Sequence, residues 1–230
     1  MAIFAISDLH LSSVLLKPMD RFGPQWVNHV DKVRTAWLET VTAEDLVLLP
    51  GDLSWSMRWQ DFVPDADIIA SLPGLKIISR GNHDYFWQSK TKMQRLLPAG
   101  IIPLEQSVTI QAGWVIAGVK GWLTPGCRFY DSTVDQEHYL RERGRLQRTL
   151  EAAAGYDLPI IVMIHFPPFA YPGEVGFCDL LQEYKVTHCV YGHLHSGDWE
   201  NQTGGLRGGV NYHLVSADYL QFRPRVVVSG

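Results

Sequence analysis

The chain is short of cysteine, short of charge and free of long apolar runs, and each shortage excludes a class of protein. Cys127, Cys178 and Cys189 are the only cysteines in 230 residues, and no two form a CxxC pair. An odd number at such wide spacing supplies neither a disulfide framework nor a thiolate zinc site. They read as reduced, mostly buried thiols of a cytoplasmic protein. Charged residues make up 19%, below the usual quarter, and the net charge is -4. No basic tract is present, which argues against nucleic acid or an anionic membrane as partner. The longest strongly apolar stretch, "LPIIVMIHF", falls far short of the ~20 residues that span a bilayer. The opening "MAIFAISDLH" has no basic n-region, and Asp8 interrupts its apolar run too early for a signal peptide. Repeats, low-complexity segments and Ser/Gly linkers are also missing, so a single domain over residues 1–230 is expected.

What is present is an alternation of short apolar runs with helical periodicity. Strands are expected at 2–7, 46–50, 75–80, 159–164 and 187–191, each nearly continuous in apolar residues, as strands covered on both faces are. Trp26, Val30, Val33, Trp37 and Val41 recur at three- and four-residue steps and predict a helix over 26–41. A second helix is predicted from about Thr133 to Ala154, stopping at Gly155. Residues 105–122 read as a hairpin turning at Ala112-Gly113, and "NYHLVSAD" and "PRVVVSG" as further strands. The expected fold class is therefore α/β with mixed sheets.

Chemistry-bearing residues sit where these strands end. Asp8-Leu9-His10 follows the first, Gly51-Asp52 the second, and Gly81-Asn82-His83-Asp84 the third. His165 follows the fourth, and Gly192-His193-Leu194-His195 the fifth. Parallel strands align their carboxyl ends along one edge, so these side chains are expected to converge there. Gly51, Gly81 and Gly192 would let the chain turn sharply just before the polar residues. The i, i+2 spacing of DxH and HxH would point both residues the same way if the chain leaves each strand extended. Carboxylates, imidazoles and one amide oxygen form a nitrogen-oxygen donor set suited to Mn, Fe, Zn, Co or Ni. Seven donors exceed the needs of one tetrahedral ion and suit two ions about 3.5–4 Å apart that share a carboxylate. His29, His138, His188 and His213 lack this context and read as structural or surface residues.

The five blocks D8-x-H10, G51-D52, G81-N82-H83-D84, H165 and G192-H193-x-H195, in that order, resemble the calcineurin-like metallophosphoesterases. The resemblance implies a four-layer αββα sandwich in which two mixed sheets pack face to face with helices outside. It implies that Asp8, His10 and His195 hold one transition-metal ion and Asn82, His165 and His193 another, with Asp52 bridging. It further implies hydrolysis of a phosphate monoester or diester by in-line attack of a metal-bridging hydroxide. His83 would be the general acid, oriented by Asp84. The text "GDLSWSM" and GNHD departs from the GDxxDRG and GNHE of the protein phosphatases, and leans toward the phosphodiesterase and small phosphohydrolase branches.

Around this core the sequence leaves choices open. Arg80 stands at a strand end, either pairing with a substrate phosphate or facing solvent. Trp55, Trp59, Tyr85, Phe86, Trp87, Trp122, Phe166, Phe169, Tyr171 and Trp199 crowd the same loops. They either stack on a flat part of a substrate or cap the ends of the sheets, and capping is favoured for each taken singly. Residues 166–176, stiffened by three prolines, read as a rim loop. Arg141, Arg145 and Arg148 lie on one face of the long helix, by default a solvated one. The reading is a metal-dependent phosphoesterase acting on a small phosphorylated substrate; the alternatives are a catalytically silent binding protein on the same fold and a nuclease.

Overall fold

Alternate residues of each strand bury against different partners, and this makes the layers. A computed structural model describes residues 1–15, 17–170, 176–195, 199 and 203–230. Strands β1 (Ile3–Ala5), β2 (Leu46–Pro50), β3 (Leu75–Ser79) and β4 (Ile101–Pro103) pair in parallel, in that order. Further strands are β5 (Ser107–Gln111), β6 (Trp114–Val119), β7 (Ile160–Ile164), β8 (His188–Tyr191), β9 (Gly204–Arg207), β10 (Val210–Leu214) and β11 (Arg225–Val228). The first sheet runs β11-β1-β2-β3-β4, with β11 antiparallel; the second runs β5-β6-β7-β8-β10-β9, antiparallel at both edges.

Ile3, Ala5, Leu46, Leu48 and Ile77 of the first sheet meet Ile116, Ile161, Met163 and Val190 of the second in one apolar layer. Their neighbours Phe4, Ile6, Val47, Leu49 and Ile78 face the opposite way, into a layer completed by helices α1 (His29–Thr40), α2 (Trp59–Ser71) and α3 (Lys90–Leu96). Val115, Ala117, Val162 and Ile164 pack outward against α4 (Ser132–Ala154) and α5 (Cys178–Glu183). The period of two along every strand thus sorts side chains between an inner and an outer layer. Both faces are covered, which is why the strands read as unbroken apolar runs. Mixed sheets stacked between helices are the αββα architecture expected.

The strands predicted at 2–7, 46–50, 75–80, 159–164 and 187–191 fall where observed to within a residue or two, while the one predicted over "NYHLVSAD" ends at Leu214. The hairpin turns as expected, with Ala112 (φ 56°) and Gly113 (φ 77°) both left-handed, the type I′ geometry that matches strand twist. The helix predicted over 26–41 begins at His29, because Asn28 is left-handed and Pro24–Trp26 forms a separate 3-10 turn. Pro64 disguised α2, although Phe62, Ala66 and Ile69 give it a buried face at helical spacing. Lys76 is buried within β3 and turns its ammonium onto the carbonyls of Ala70 and Leu72 at the end of α2. All three cysteines are free thiols, with Cys178 and Cys189 buried. Among the described residues no helix is long and apolar enough to cross a membrane.

One aromatic pair fastens the loop after β3 to this frame. Phe62 of α2 and Phe86 are both fully buried and stack with ring centroids 3.6 Å apart. Replacing Phe62 with Ala opens a cavity and is expected to lower stability by about 3–5 kcal/mol in chemical denaturation. A loss under 1 kcal/mol would show that the loop is held by other means.

Candidate metal centre

The two sheets meet where the site lies. Beyond the end of β1, Ser7 N–H donates to Val215 O at 2.8 Å, and Ala217 N–H returns to Ser7 O at 3.0 Å. The C-terminal ends of β1, β2 and β3 therefore face those of β7, β8 and β10 across a seam. Asp8, His10, Asp52 and His165 converge there, all nearly inaccessible to solvent.

Donor atoms from both sheets come within ligand spacing. Asn82 Oδ1 lies 2.8 Å from His165 Nε2 and 2.9 Å from His193 Nδ1. His10 Nε2 and His195 Nε2 are 3.3 Å apart, and His195 Nε2 lies 3.6 Å from Asp8 Oδ1. Asp52 Oδ2 stands between the groups, 3.5 Å from His165 Nε2 and 3.9 Å from His10 Nε2. Ligands about 2.1 Å from a shared ion stand about 3.0 Å apart at adjacent octahedral positions and about 3.4 Å apart in a tetrahedron, and these separations bracket that spacing. Two triads, Asp8-His10-His195 and Asp8-Asp52-His165, each gather their donors compactly enough to hold one ion.

The electrostatics fit a cation. Among the described residues neither Asp8 nor Asp52 pairs with a lysine or arginine; the basic side chains beside them are imidazoles. Burial pushes the Asp8 carboxyl up. Burial also acts upward on Asp52, but the His165 imidazole beside it holds that carboxyl well below the usual range. Burial opposes protonation of His165, yet the Asp52 charge lifts it to about 9. Burial and then the His165 charge push His193 down to about 3. Two buried carboxylates faced by imidazoles make a donor set whose charge transition-metal ions would neutralise.

Hydrogen bonds outside the cluster fix which nitrogen faces inward. His165 Nδ1 meets Pro50 O at 3.0 Å, so its Nε2 is the free donor. His195 Nδ1 meets Asp218 Oδ1 at 3.1 Å, the carboxylate–histidine arrangement that orients metal ligands. The sequence reading missed Asp218. Its signal was positional: it follows β10, which is parallel to β8, and closes the run "VSAD". Ser7, whose hydroxyl donates to Asp8 Oδ2, was missed too.

Two expectations need correction. The DxH spacing does not act through extended backbone: Asp8 (φ 58°), His10 (φ 45°), Asp52 (φ 53°) and His193 (φ 73°) are all left-handed. Such conformations cost of order 1 kcal/mol or more each and gather at functional sites. Of the glycines, Gly51 (φ 91°) does supply a turn, but Gly81 and Gly192 supply room. A Cβ on Gly192 would stand 2.2 Å from Asp8 Oδ2, and one on Gly81 2.1 Å from Asp52 Oδ1.

The second correction concerns Asp84. It does not orient His83. One of its oxygens accepts from the backbone N–H of Asp52 (2.9 Å) and Gly81 (2.8 Å), the other from Leu53 (2.8 Å) and Ser54 (3.3 Å). Fully buried, it ties the loop after β2 to the loop after β3. His83 instead donates its backbone N–H to Asp52 Oδ1 at 2.8 Å and sets its ring 4.4 Å from Trp55. Burial lowers the His83 imidazole, with Asp52 pulling the other way.

The remaining candidates are placed as follows. Arg80 is half-buried, with a buried Nε that has no hydrogen-bond partner among the described residues. Arg145 pairs with Glu142 at 2.5 Å, while Arg141 and Arg148 are exposed. His29 is buried against Leu9 O, and His188 bonds His213 at 3.0 Å, structural positions as expected. Phe86, Trp87 and Phe169 are core residues. Of the rim loop, residues 171–175, Tyr171 included, lie outside the described residues.

Residues 1–197 match the family model of the calcineurin-like phosphoesterases, and the chain belongs to that family. Among solved structures it is similar to a protein of unknown function from Aquifex aeolicus, at 14% identity and a TM-score of 0.53 over 98% of this chain and 95% of that one. A second structure, at 12% identity and a TM-score of 0.56, aligns over 92% of this chain and 88% of its own. At such identities the likeness is one of fold. No curated protein matches the sequence significantly.

Asn in place of Asp84 would present an NH2 group to two backbone N–H donors that now share a carboxylate oxygen. The substitution is expected to cost about 2–4 kcal/mol and to lower metal uptake, read by thermal unfolding and elemental analysis together. Loss of turnover with unchanged stability and metal content would restore Asp84 to a role toward His83.

Proposed function

We propose that the chain acts, as one domain over residues 1–230, as a dinuclear metal-dependent hydrolase of a small phosphate monoester or diester in the cytoplasm, without nucleic-acid or membrane partners. One observation carries the reading: seven oxygen and nitrogen donors, drawn from the strand ends of both sheets, stand at ligand spacing in a pocket whose two carboxylates are buried. Asp8, His10 and His195 would hold one ion, Asn82, His165 and His193 the other, and Asp52 would touch both. Two such ions, when bound, supply hydroxide at neutral pH and positive charge for phosphate oxygens.

The chain's own residues do the rest. Pro50 O and Asp218 would hold protons on the outward nitrogens of His165 and His195, so that with ions bound the inward nitrogens serve as ligands. Asn82 contributes an oxygen without a charge, so an anionic substrate meets less repulsion there than an aspartate would give. His83 is half-buried at the edge of the cluster, its ring 5.8 Å from that of His10. It would hand a proton from its imidazole to the departing oxygen. The Asp52 charge supports the protonated form that burial opposes, and Trp55 covers one side of the ring.

Asp52→Asn is expected to abolish turnover of a phosphoester panel run with Mn, Fe, Zn, Co and Ni in turn. Undiminished turnover would remove Asp52 from the centre, and a wild-type protein silent on the whole panel would favour a binding protein. His83→Ala should lower kcat for alkyl phosphates by about 10²–10⁴-fold. Its effect on a nitrophenyl ester should be mild, since that leaving group needs no acid. Equal losses on both would argue that His83 is structural.

A further inference from the structure

Two cavities open beside the cluster and share a pair of side chains. The inner one, of about 90 Å³, is bounded by His10, His83 and His195 on one side and by Met19, Phe22 and Trp55 on the other. The outer one, of about 240 Å³, is bounded by Phe22 and Trp55 again, with Lys17 and Arg21. Phe22 and Trp55 thus stand between the donor cluster and two cations. Their rings are nearly parallel, 11° apart, with centroids separated by 6.5 Å. A flat ring needs about 3.5 Å to each face, about 7 Å in all. To admit one, the exposed Phe22 side chain would swing outward from Trp55.

The two walls of this gap differ in stiffness. Trp55 is fixed: it stacks on His10 at 4.7 Å, and its Nε1–H points to Met19 Sδ at 3.1 Å. Phe22 ends the 3-10 turn Met19–Phe22 and is 59% exposed. A large apolar ring left in water opposite a partly buried one is explained if a ligand covers it. Lys17 Nζ stands 4.4 Å from the Trp55 ring centroid. Among the described residues neither Lys17 nor Arg21 joins an ion pair. Asp20 lines a neighbouring cavity and not this one.

Resting on the phosphoesterase reading, we propose that this cleft is the leaving-group subsite and selects the substrate: it takes a flat aryl or heteroaryl ring between Phe22 and Trp55 and a second negative charge at Lys17 and Arg21. The substrate class is then a phosphate ester whose departing part is aromatic and anionic. The ring replaces the Lys17 ammonium over Trp55, and that ammonium turns to the second anion.

Hydrolysis-inert phosphonates test this on the full, manganese-loaded chain by titration calorimetry and by quenching of tryptophan fluorescence. Benzylphosphonate should bind about tenfold more tightly than ethylphosphonate, and 4-carboxybenzylphosphonate about threefold more tightly again. Phe22→Leu should erase the difference between benzyl and ethyl, and Arg21→Gln the gain from the carboxylate; both positions are exposed, and thermal melts check that each variant folds. Equal binding of benzyl and ethyl compounds, or an aryl advantage that survives Phe22→Leu, overturns the subsite while leaving the phosphoesterase reading in place. Failure of inorganic phosphate and all three phosphonates to bind the loaded protein overturns both.

Discussion

Asp8 and Asp52 are carboxylates sunk into the seam between two sheets with no lysine or arginine among the described residues against either, and the surrounding structure answers to that burial. An ionised carboxylate in such a place is costly unless hydrogen bonds and opposite charge compensate it. The hydrogen bonds are present: the Ser7 hydroxyl and the His193 N–H reach Asp8, and the His83 N–H reaches Asp52. Among the described residues the opposite charge comes from imidazoles: burial opposes it at both, but Asp218 and Asp8 lift His195, and the Asp52 charge holds a proton on His165. That proton occupies the nitrogen that faces Asn82 and Asp52, where a metal ion would sit. Proton and metal are alternatives for one lone pair, so metal uptake at this position releases acid.

Holding the donors in place distorts the backbone. Four of the seven candidate ligands carry left-handed φ values that residues with a Cβ seldom adopt. The strain is borne because neighbours over-determine it. Asp84 clamps four consecutive or facing amides with one carboxylate, and Gly81 and Gly192 let adjoining loops approach closer than any side chain would permit. These features act on the peptide chain, and the imidazoles and carboxylates then point where the chain directs them.

The sequence made the layout legible because two periodicities coincide in it. Runs such as Leu46–Pro50 and Ile160–Ile164 are apolar throughout only because helices cover one face and a second sheet the other. That pattern marked the parallel strands, and the polar residue after each marked the edge where ligands gather. What stayed hidden depended on direction rather than position. Asp84 follows His83 in the chain, but its side chain faces the amides of a loop some thirty residues earlier, and adjacency gave no hint of it. Asp218 sits beyond the last motif and acquires its role only because β10 lies beside β8. Phe22 and Lys17 lie between the first motif and α1, outside any recognisable pattern, and gain meaning from Trp55, which a different loop delivers.

Division of labour between the sheets links folding to chemistry. Asp8, His10, Asp52 and Asn82 come from the first sheet, His165, His193 and His195 from the second, and His10 and His195 meet across 185 positions of chain. Neither sheet carries all of the candidate donors, so the cluster exists only once the two have docked. Ions that prefer the docked state bind the unfolded chain weakly by comparison, and their binding energy adds to the stability of the interface between the sheets. The apolar layer between the sheets and the polar cluster at its edge therefore reinforce one another: packing assembles the donors, and an ion held by both sheets resists their separation.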